Sequence, residues 1–394
     1  MDTMTTNLSY NFPVPTQVFF GAGQLNRLHT LPMPGKKALL VISNGKSTRA
    51  NGYLDRTLAE LGQAGVEAVV YDKIQANPLK ESVEEGARLA CSEGCDFVVA
   101  LGGGSVMDAA KVIAMNATNK GDLWDYVQSG TGRRKPIANA PLPWIAITTT
   151  AGTGSEVDGA GVITNLQTNE KVGVGSRCAL YAIVDPELML SVPPRFTAFQ
   201  GFDALFHSLE GYISRASNIF SDMVQEAAIS NVARWLPVAV EDGSNMEARA
   251  RMAFANTMSG YSMDTSACTA EHSIEHAMSA YHDNLPHGAG LIMISKAYFS
   301  AIVAQHVCDD RFVRMARLMG KEDATKPEDF ITALADLQKA CGVDGLRMSD
   351  YGLRPEELDK MATNAIEAMG RLVQMDRRPL THDEIVKVLE ASYR

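Results

Sequence analysis

Four of the eight histidines lie in one short stretch, AEHSIEHAMSAYHDNLPHGAG, at His272, His276, His282 and His287. His272 and His276 are four residues apart, so a helix would carry both on one face. His287 stands between Pro286 and Gly288, which reads as a fixed turn. Upstream, GFDALFHSLEGY sets Asp203 and His207 at the same four-residue spacing. A carboxylate and an imidazole so placed can chelate one cation, and two such pairs on facing helices can enclose it. One Asp with two or three His is a mixed oxygen–nitrogen set that suits Zn²⁺ or Fe²⁺ and fits Ca²⁺ and Mg²⁺ poorly. A single pair is more often a surface feature, but two pairs and a Pro-His-Gly in a chain with eight histidines favour a metal site. Spacing leaves open whether His272 or His276 is the ligand. His29, His306 and His382 stand alone, and His282 has no assigned role.

A second kind of chemistry is written in glycine. In ALGGGSVMDAAK (Ala100–Lys111) an apolar run ends in three glycines and a helical pattern starts at once. Glycine lets backbone approach a ligand closely, and the N–H groups and dipole of a helix N-terminus favour a pyrophosphate. The same turn could serve packing alone, and the G-x-G-x-x-G pattern is absent from the chain. TTTAGTGSEV (Thr148–Val157) follows another apolar run and offers hydroxyls to ribose or phosphate oxygens; its plain alternative is a serine/threonine turn. Two such loops after parallel strands fit the ligand crevice of an open α/β sheet, which favours dinucleotide binding.

The elements that must position these residues differ between the two halves. KALLVIS (Lys37–Ser43), VEAVVYD (Val66–Asp72), DFVVALGGG (Asp96–Gly104), PWIAITTT (Pro143–Thr150) and YAIVD (Tyr181–Asp185) read as strands or strand and turn. Helical stretches at Leu54–Gly65, Glu81–Gly94 and Val106–Met115 separate them, which implies right-handed crossovers and a mostly parallel sheet. Beyond Pro193–Pro194 the strands stop and apolar residues recur at helical spacing, as in MEARARMAFANTMSGY. The expected organisation is an α/β dinucleotide-binding domain over 1–194 and an all-helical, metal-binding domain over 195–394.

The whole chain narrows the classes. Its net charge of −10 argues against a nucleic-acid surface. Cys91, Cys95, Cys178, Cys268, Cys308 and Cys341 are scattered through a long chain, which is a pattern of reduced, packed thiols. The start, MDTMTTNLSYNFPVP, lacks the features of a signal peptide, and no apolar run approaches the roughly 20 residues that span a bilayer. A cytoplasmic enzyme with no membrane partner is expected. The extended segment Gln17–Phe20 suits pairing across a homodimer or larger homo-oligomer.

Taken together, GGGSVMDAAK, TTTAGTGSEV, DALFHSLEGY and HSIEH with PHG resemble the iron-containing (group III) alcohol dehydrogenases. PTQVFFGAGQLNRL (Pro15–Leu28), the Asn77–Pro78 step and DPELMLSVPP (Asp185–Pro194) match the same pattern, so the resemblance covers almost the whole chain. It implies the dehydroquinate-synthase-like fold of that family, with an α/β N-terminal domain and an all-α C-terminal domain. By resemblance the metal ligands are Asp203, His207, His272 and His287, while His276 matches a histidine near the nicotinamide that is usually not a ligand; as the catalytic residue it is expected to help move a proton between substrate oxygen and solvent. Cofactor contacts carry over to Gly102, Gly103, Gly104, Ser105 and Asp108, with Asn77, Thr148, Thr149, Thr153 and Lys171 beside ribose and nicotinamide. The stretch from His276 to His287 is one residue longer than in some members.

The resemblance implies hydride transfer between NAD or NADP and a small alcohol or aldehyde, assisted by one divalent metal, Fe²⁺ or alternatively Zn²⁺. Members that prefer NAD often carry an aspartate after the second strand; here Ser43-Asn44-Gly45-Lys46-Ser47 stands instead, so acceptance of NADP(H) is expected. Phe202, Phe206, Met263 and Tyr281 are candidates for an apolar substrate wall, or simply core. Two rivals share features. A dehydroquinate-synthase-like cyclase would use a ligand set with a glutamate and a basic substrate pocket, and no such basic cluster lies near these histidines. A metal- and nucleotide-binding sensor would lack turnover.

Overall fold

The computed structural model describes residues 6–394, and they divide into two compact units. The first unit spans Val14–Ser191. Its strands are β1 (Gln17–Phe20), β2 (Lys37–Ser43), β3 (Glu67–Ile74), β4 (Phe97–Gly102), β5 (Trp144–Thr148), β6 (Ala160–Asn165), β7 (Glu170–Gly175) and β8 (Tyr181–Val184). Six of them form one parallel sheet in the order β1-β8-β5-β4-β2-β3. The central strands are buried along their whole length, β4 and β5 at every residue. Parallel strands covered on both faces read as continuous apolar runs, which is why they were visible in the sequence. Between the strands run α1 (Ser47–Ala50), α2 (Tyr53–Gln63), α3 (Lys80–Glu93) and α4 (Gly104–Thr118).

The connection after β2 leads outward to β3, whereas the one after β4 leads the other way to β5. β2 and β4 are neighbours, so the direction of winding reverses between them. A crevice therefore opens at their carboxyl ends, where Ser43–Lys46 and Gly102–Gly104 lie. Gln17–Phe20 pairs in parallel with β8 inside the chain, as the edge strand of the sheet.

β6 and β7 were not expected. They form a separate antiparallel hairpin that packs on α4, and a side chain at Gly161 would come within 2.5 Å of the Asp108 carbonyl oxygen. Under the hairpin, Lys111 is fully buried; its Nζ donates to Asp158 and to the Ala160 carbonyl at 2.8 Å. A buried ammonium is tolerable only with such partners.

The second unit holds Val192–Arg394 together with the N-terminal segment up to Pro13. That segment had been expected with the α/β domain. It lies on the helices instead, because its apolar side chains find aromatic partners there. Tyr10 stacks on Phe220 at 5.2 Å and Phe12 packs against Phe220 and Tyr261, while Ile219 N–H donates to the Asn7 carbonyl.

The helices are α5 (Pro194–Ile213), α6 (Ile219–Glu241), α7 (Met246–Thr265), α8 (Ala270–Tyr281), α9 (His287–Val303), α10 (Asp309–Leu318), α11 (Glu328–Ala340), α12 (Leu358–Val373) and α13 (His382–Ser392). α5 is buried on nearly every side from Thr197 onward, so its sequence is apolar all round except where chemistry intervenes. Phe202 and Phe206 are fully buried, Phe202 packing on Phe206 and Phe206 on Phe299, which makes them core rather than a pocket wall.

The Lys111–Asp158 pair generates a test. Lys111→Met leaves the Asp158 carboxylate buried without its cation and should cost about 3–5 kcal/mol in denaturant unfolding. Adding Asp158→Asn should restore part of the loss; equal stability of Lys111→Met and wild type would contradict a structural role.

Candidate functional site

In the helical unit, α5, α8 and the start of α9 bring Asp203, His207, His272 and His287 together. Each comes from a local rule. Asp203 and His207 share a face of α5, as their spacing requires. His272 sits in the first turn of α8, and His287 opens α9 after Pro286. Glycine allows that placement: a Cβ on Gly288 would meet the Phe199 carbonyl oxygen of α5 at 2.2 Å, and one on Gly290 would meet Glu275 of α8 at 2.7 Å. The Pro-His-Gly-Ala-Gly run thus lets α9 press against both neighbours.

Asp203 Oδ1 is the centre of the group. It lies 3.6 Å from His207 Nδ1, 3.6 Å from His272 Nε2 and 3.4 Å from His287 Nε2. It makes no hydrogen bond although buried, and neither do His207 Nδ1 and His272 Nε2. Orphaned buried polar atoms each cost about 1–3 kcal/mol, so three aimed at one point call for a ligand. The spacing suits a cation. Bonds of about 2.0–2.2 Å to nitrogen and oxygen put neighbouring donors of a tetrahedral ion roughly 3.3–3.6 Å apart. Burial alone would raise the Asp203 carboxyl, but the His207 and His287 imidazoles outweigh it and hold the group well below the usual carboxylate range. Burial pushes His207 down to about 4, so near neutral pH it is uncharged and keeps the lone pair that a metal ligand needs.

Two carboxylates that sequence reading passed over hold the imidazoles in place. Glu210 Oε1 bonds His272 Nδ1, and Glu275 Oε2 bonds His287 Nδ1. Each bond directs the opposite nitrogen, Nε2, toward Asp203 and fixes the tautomer. The signal was present as a repeated phrase: His207-Ser-Leu-Glu210 and His272-Ser-Ile-Glu275. In each, the glutamate serves a histidine of another helix or turn, not the one beside it in sequence.

Glu210 is itself anchored. Its Oε2 accepts from Thr269 N–H at 2.7 Å and from Thr269 Oγ1 at 2.9 Å. Thr269 Oγ1 stands 2.6 Å from Tyr298 Oη, which stands 2.6 Å from Asp376 Oδ1, all of them buried. Each hydroxyl has one proton. Thr269 gives its proton to Glu210, and Tyr298 donates its own to Asp376. Burial lifts that carboxyl to about 7. Glu271, also fully buried, is raised above the usual carboxylate range by burial and by the Glu210 charge.

His276 is buried beside the group, its ring 5.4 Å from that of His287. His282 is turned elsewhere. Its Nε2 lies 3.1 Å from Glu357 Oε2, which anchors the turn between α8 and α9 where the extra residue was expected. Tyr281 carries the Lys360 ammonium over its ring at 4.3 Å.

In the α/β unit the two glycine loops lie against each other at the ends of β4 and β5, where Gly102 and Thr148 are register partners. Thr149 N–H donates to the Gly102 carbonyl at 2.9 Å. Side chains at Gly103 and Gly104 would meet Thr150 and Thr153 at 2.8 and 2.3 Å. Gly104 and Ser105 open α4, so this loop presents helix N–H groups as a phosphate site requires. Asp108 points inward: it accepts from Ser155 Oγ at 2.6 Å and Val162 N–H at 3.0 Å. Its work is to tie the second loop and the β6–β7 hairpin to α4. Asn77 is buried at a left-handed φ of 52° just before Pro78, and Lys171 is buried on β7 opposite Thr164.

The family model described as iron-containing alcohol dehydrogenase matches residues 15–186, and that of the C-terminal region of the Fe-containing alcohol dehydrogenase family matches residues 197–393. The 1,3-propanediol dehydrogenase of Citrobacter freundii is 33% identical over 368 residues, 91% of this chain and 92% of the relative. Among solved structures, an archaeal halo-thermophilic alcohol dehydrogenase from a Red Sea brine pool superposes with a TM-score of 0.92 at 33% identity, covering 99% of this chain and 100% of that one. The NADH-dependent butanol dehydrogenase A of Thermotoga maritima gives a TM-score of 0.88 at 26% identity, over 99% of this chain and 100% of its own.

The carboxylates behind the histidines give a direct test. Glu210→Gln and Glu275→Gln should each weaken divalent-metal affinity about 10–100-fold, read by competition with a chromophoric chelator. Unchanged affinity in both variants would show that the carboxylates do not support the imidazoles.

Proposed function

The chain belongs to the iron-containing alcohol dehydrogenase family, and on that footing we propose that it moves hydride between NAD(P) and a small alcohol or its aldehyde at a cation held by Asp203, His207, His272 and His287. The observation that carries this reading is the Asp203 carboxylate, buried without a hydrogen bond and faced by three imidazole nitrogens at 3.4–3.6 Å. Ferrous iron and zinc both suit one carboxylate and three imidazoles. The relatives that act on 1,3-propanediol and butanol support a short aliphatic substrate.

When bound, the cation polarises the substrate oxygen and the nicotinamide accepts or returns hydride. The chain's own residues do the rest. Asp203 supplies the negative charge that a divalent cation needs in a buried place. His207, His272 and His287 supply nitrogen donors, two of them aimed by Glu210 and Glu275. His276 moves the proton between substrate oxygen and solvent. The glycine turn Gly102–Gly104 and the N-terminal turn of α4 with Ser105 hold the pyrophosphate, and Thr148, Thr149, Thr153, Asn77 and Lys171 serve ribose and nicotinamide. At the end of β2 no carboxylate follows Ser43, and Lys46 is exposed there, which supports use of NADPH, whose additional phosphate a cation attracts.

Purified protein should reduce short aldehydes at 340 nm with either dinucleotide, lose activity on chelation and regain it with Fe²⁺ or Zn²⁺. Persistence of activity after complete metal removal would refute the metal reading. A far higher kcat/KM for NADH than for NADPH would overturn the dinucleotide reading alone. His276→Ala should retain a full equivalent of metal but lose about 10²–10⁴-fold in turnover, with an altered pH profile. Wild-type activity at every pH would remove His276 from proton transfer.

A further inference from the structure

Helix α12 carries none of Asp203, His207, His272 and His287, yet polar contacts join it to α8 at both ends and near the ligand. At the far end of α8, Lys360 lies over the Tyr281 ring, and His282 Nε2 is 3.1 Å from Glu357, the residue before α12. Near its start, Ser273 is fully buried and follows His272 in sequence. The Ser273 hydroxyl donates to the Ala365 carbonyl of α12 at 2.7 Å, with the Met369 carbonyl at 3.3 Å. α12 is kinked at Met369 (φ −126°, ψ 27°), and a side chain entering the i→i−4 ladder of a helix produces such a kink.

The first turn of α8 is held from the same direction. A helix start leaves backbone N–H groups without partners, and the residue before it usually satisfies one with its own side chain. Thr269 makes no such cap, because its hydroxyl is given to Glu210. The caps come from far along the chain instead. Ala270 N–H donates to Asp376 Oδ2 at 3.2 Å, in the loop after α12, and His272 N–H to Glu210 Oε2 at 3.3 Å. Asp376 is 1% exposed, and its loop is clamped. The Met375, Asp376 and Arg377 carbonyls accept from the backbone N–H, Nε and Nη2 of Arg215, between α5 and α6.

We propose that Ser273 and Asp376 are positioning residues for the cation site, so that α12 and the loop after it form a splint along α8 that sets where the His272 imidazole stands. This rests on the metal reading of the site under Proposed function. Glu210 fixes the ring of His272. Ser273 and Asp376 fix the backbone of α8 on either side of it, and they act on the cation only through that backbone. Donors displaced by a fraction of an ångström bind a metal less well, which is why residues behind the ligands tune affinity.

The test titrates metal-free full-length protein with Co²⁺, whose visible d–d bands report the geometry of its donors, and with Zn²⁺ against a chromophoric chelator. Ser273→Ala and Asp376→Ala should each shift the d–d bands and weaken Zn²⁺ binding about 10-fold. Asp376→Asn, which keeps an oxygen for Ala270 N–H, should restore the wild-type bands. Lys111→Met, which removes a buried ion pair of the α/β unit, should lower stability and leave bands and affinity unchanged. Wild-type bands and affinity in both alanine variants, whatever their stability, would overturn the proposal, as would an equal shift in Lys111→Met. A shift in Asp376→Asn as large as that in Asp376→Ala would overturn the capping role of Asp376. Failure of the wild type to bind Co²⁺ at all would overturn the metal reading and this proposal with it. Ser273→Ala deletes a single hydroxyl and decides the matter if Asp376→Ala does not fold.

Discussion

A carboxylate buried without a hydrogen bond is the constraint around which the helical unit is arranged. Removing Asp203 from water is costly unless positive charge or donors replace the solvent. Three imidazole nitrogens face it without a hydrogen bond, from the same helix, the start of α8 and the start of α9, a setting that suits a cation. For all of them to face one oxygen, α9 must begin against both α5 and α8, which only the glycines after His287 permit. The apolar packing of α5, visible in Phe202, Phe206 and Phe299, follows from the same demand. The helix that carries two of the donors has to be rigid and dry.

The donors are held in depth. Glu210 and Glu275 fix two imidazoles, and Thr269, Tyr298 and Asp376 fix Glu210 in turn. Low dielectric makes each link strong when satisfied and costly when broken. A buried acid such as Asp376, lifted to about 7 by burial, is tolerated because Tyr298 Oη and Ala270 N–H donate to it. The α/β unit uses the same economy of buried polar groups. Asp108 and the Lys111–Asp158 pair bind the second loop and the β6–β7 hairpin to α4, so the glycine loops rest on a fixed floor.

Much of this was legible in the residues. Every strand of the sheet core from Lys37 to Val184 appeared as a short apolar run, because a strand covered on both faces must be apolar throughout. The hairpin at Ala160–Gly175 escaped notice because its strands mix Thr, Asn, Glu, Lys and Gly with their few apolar residues. The N-terminal segment was placed with the wrong unit, since nothing in its own pattern says which aromatic partners it will meet. Asp108 belonged to a motif suggestive of the cofactor, yet both its oxygens turn toward protein.

What the sequence by itself determined was the kind of chemistry: two helical donor pairs, a His in a proline–glycine turn and two glycine loops. Residue type and short spacing depend only on local geometry, which a helix or a tight turn dictates. It could not decide between His272 and His276, which share a helix face, nor show that each glutamate of the repeated His-Ser-aliphatic-Glu phrase supports a distant histidine. Those relations join residues about 12 to 65 positions apart, or arise where several elements converge. Such relations follow from the packing of α5, α8 and α9, because packing sets which side chains share one buried point.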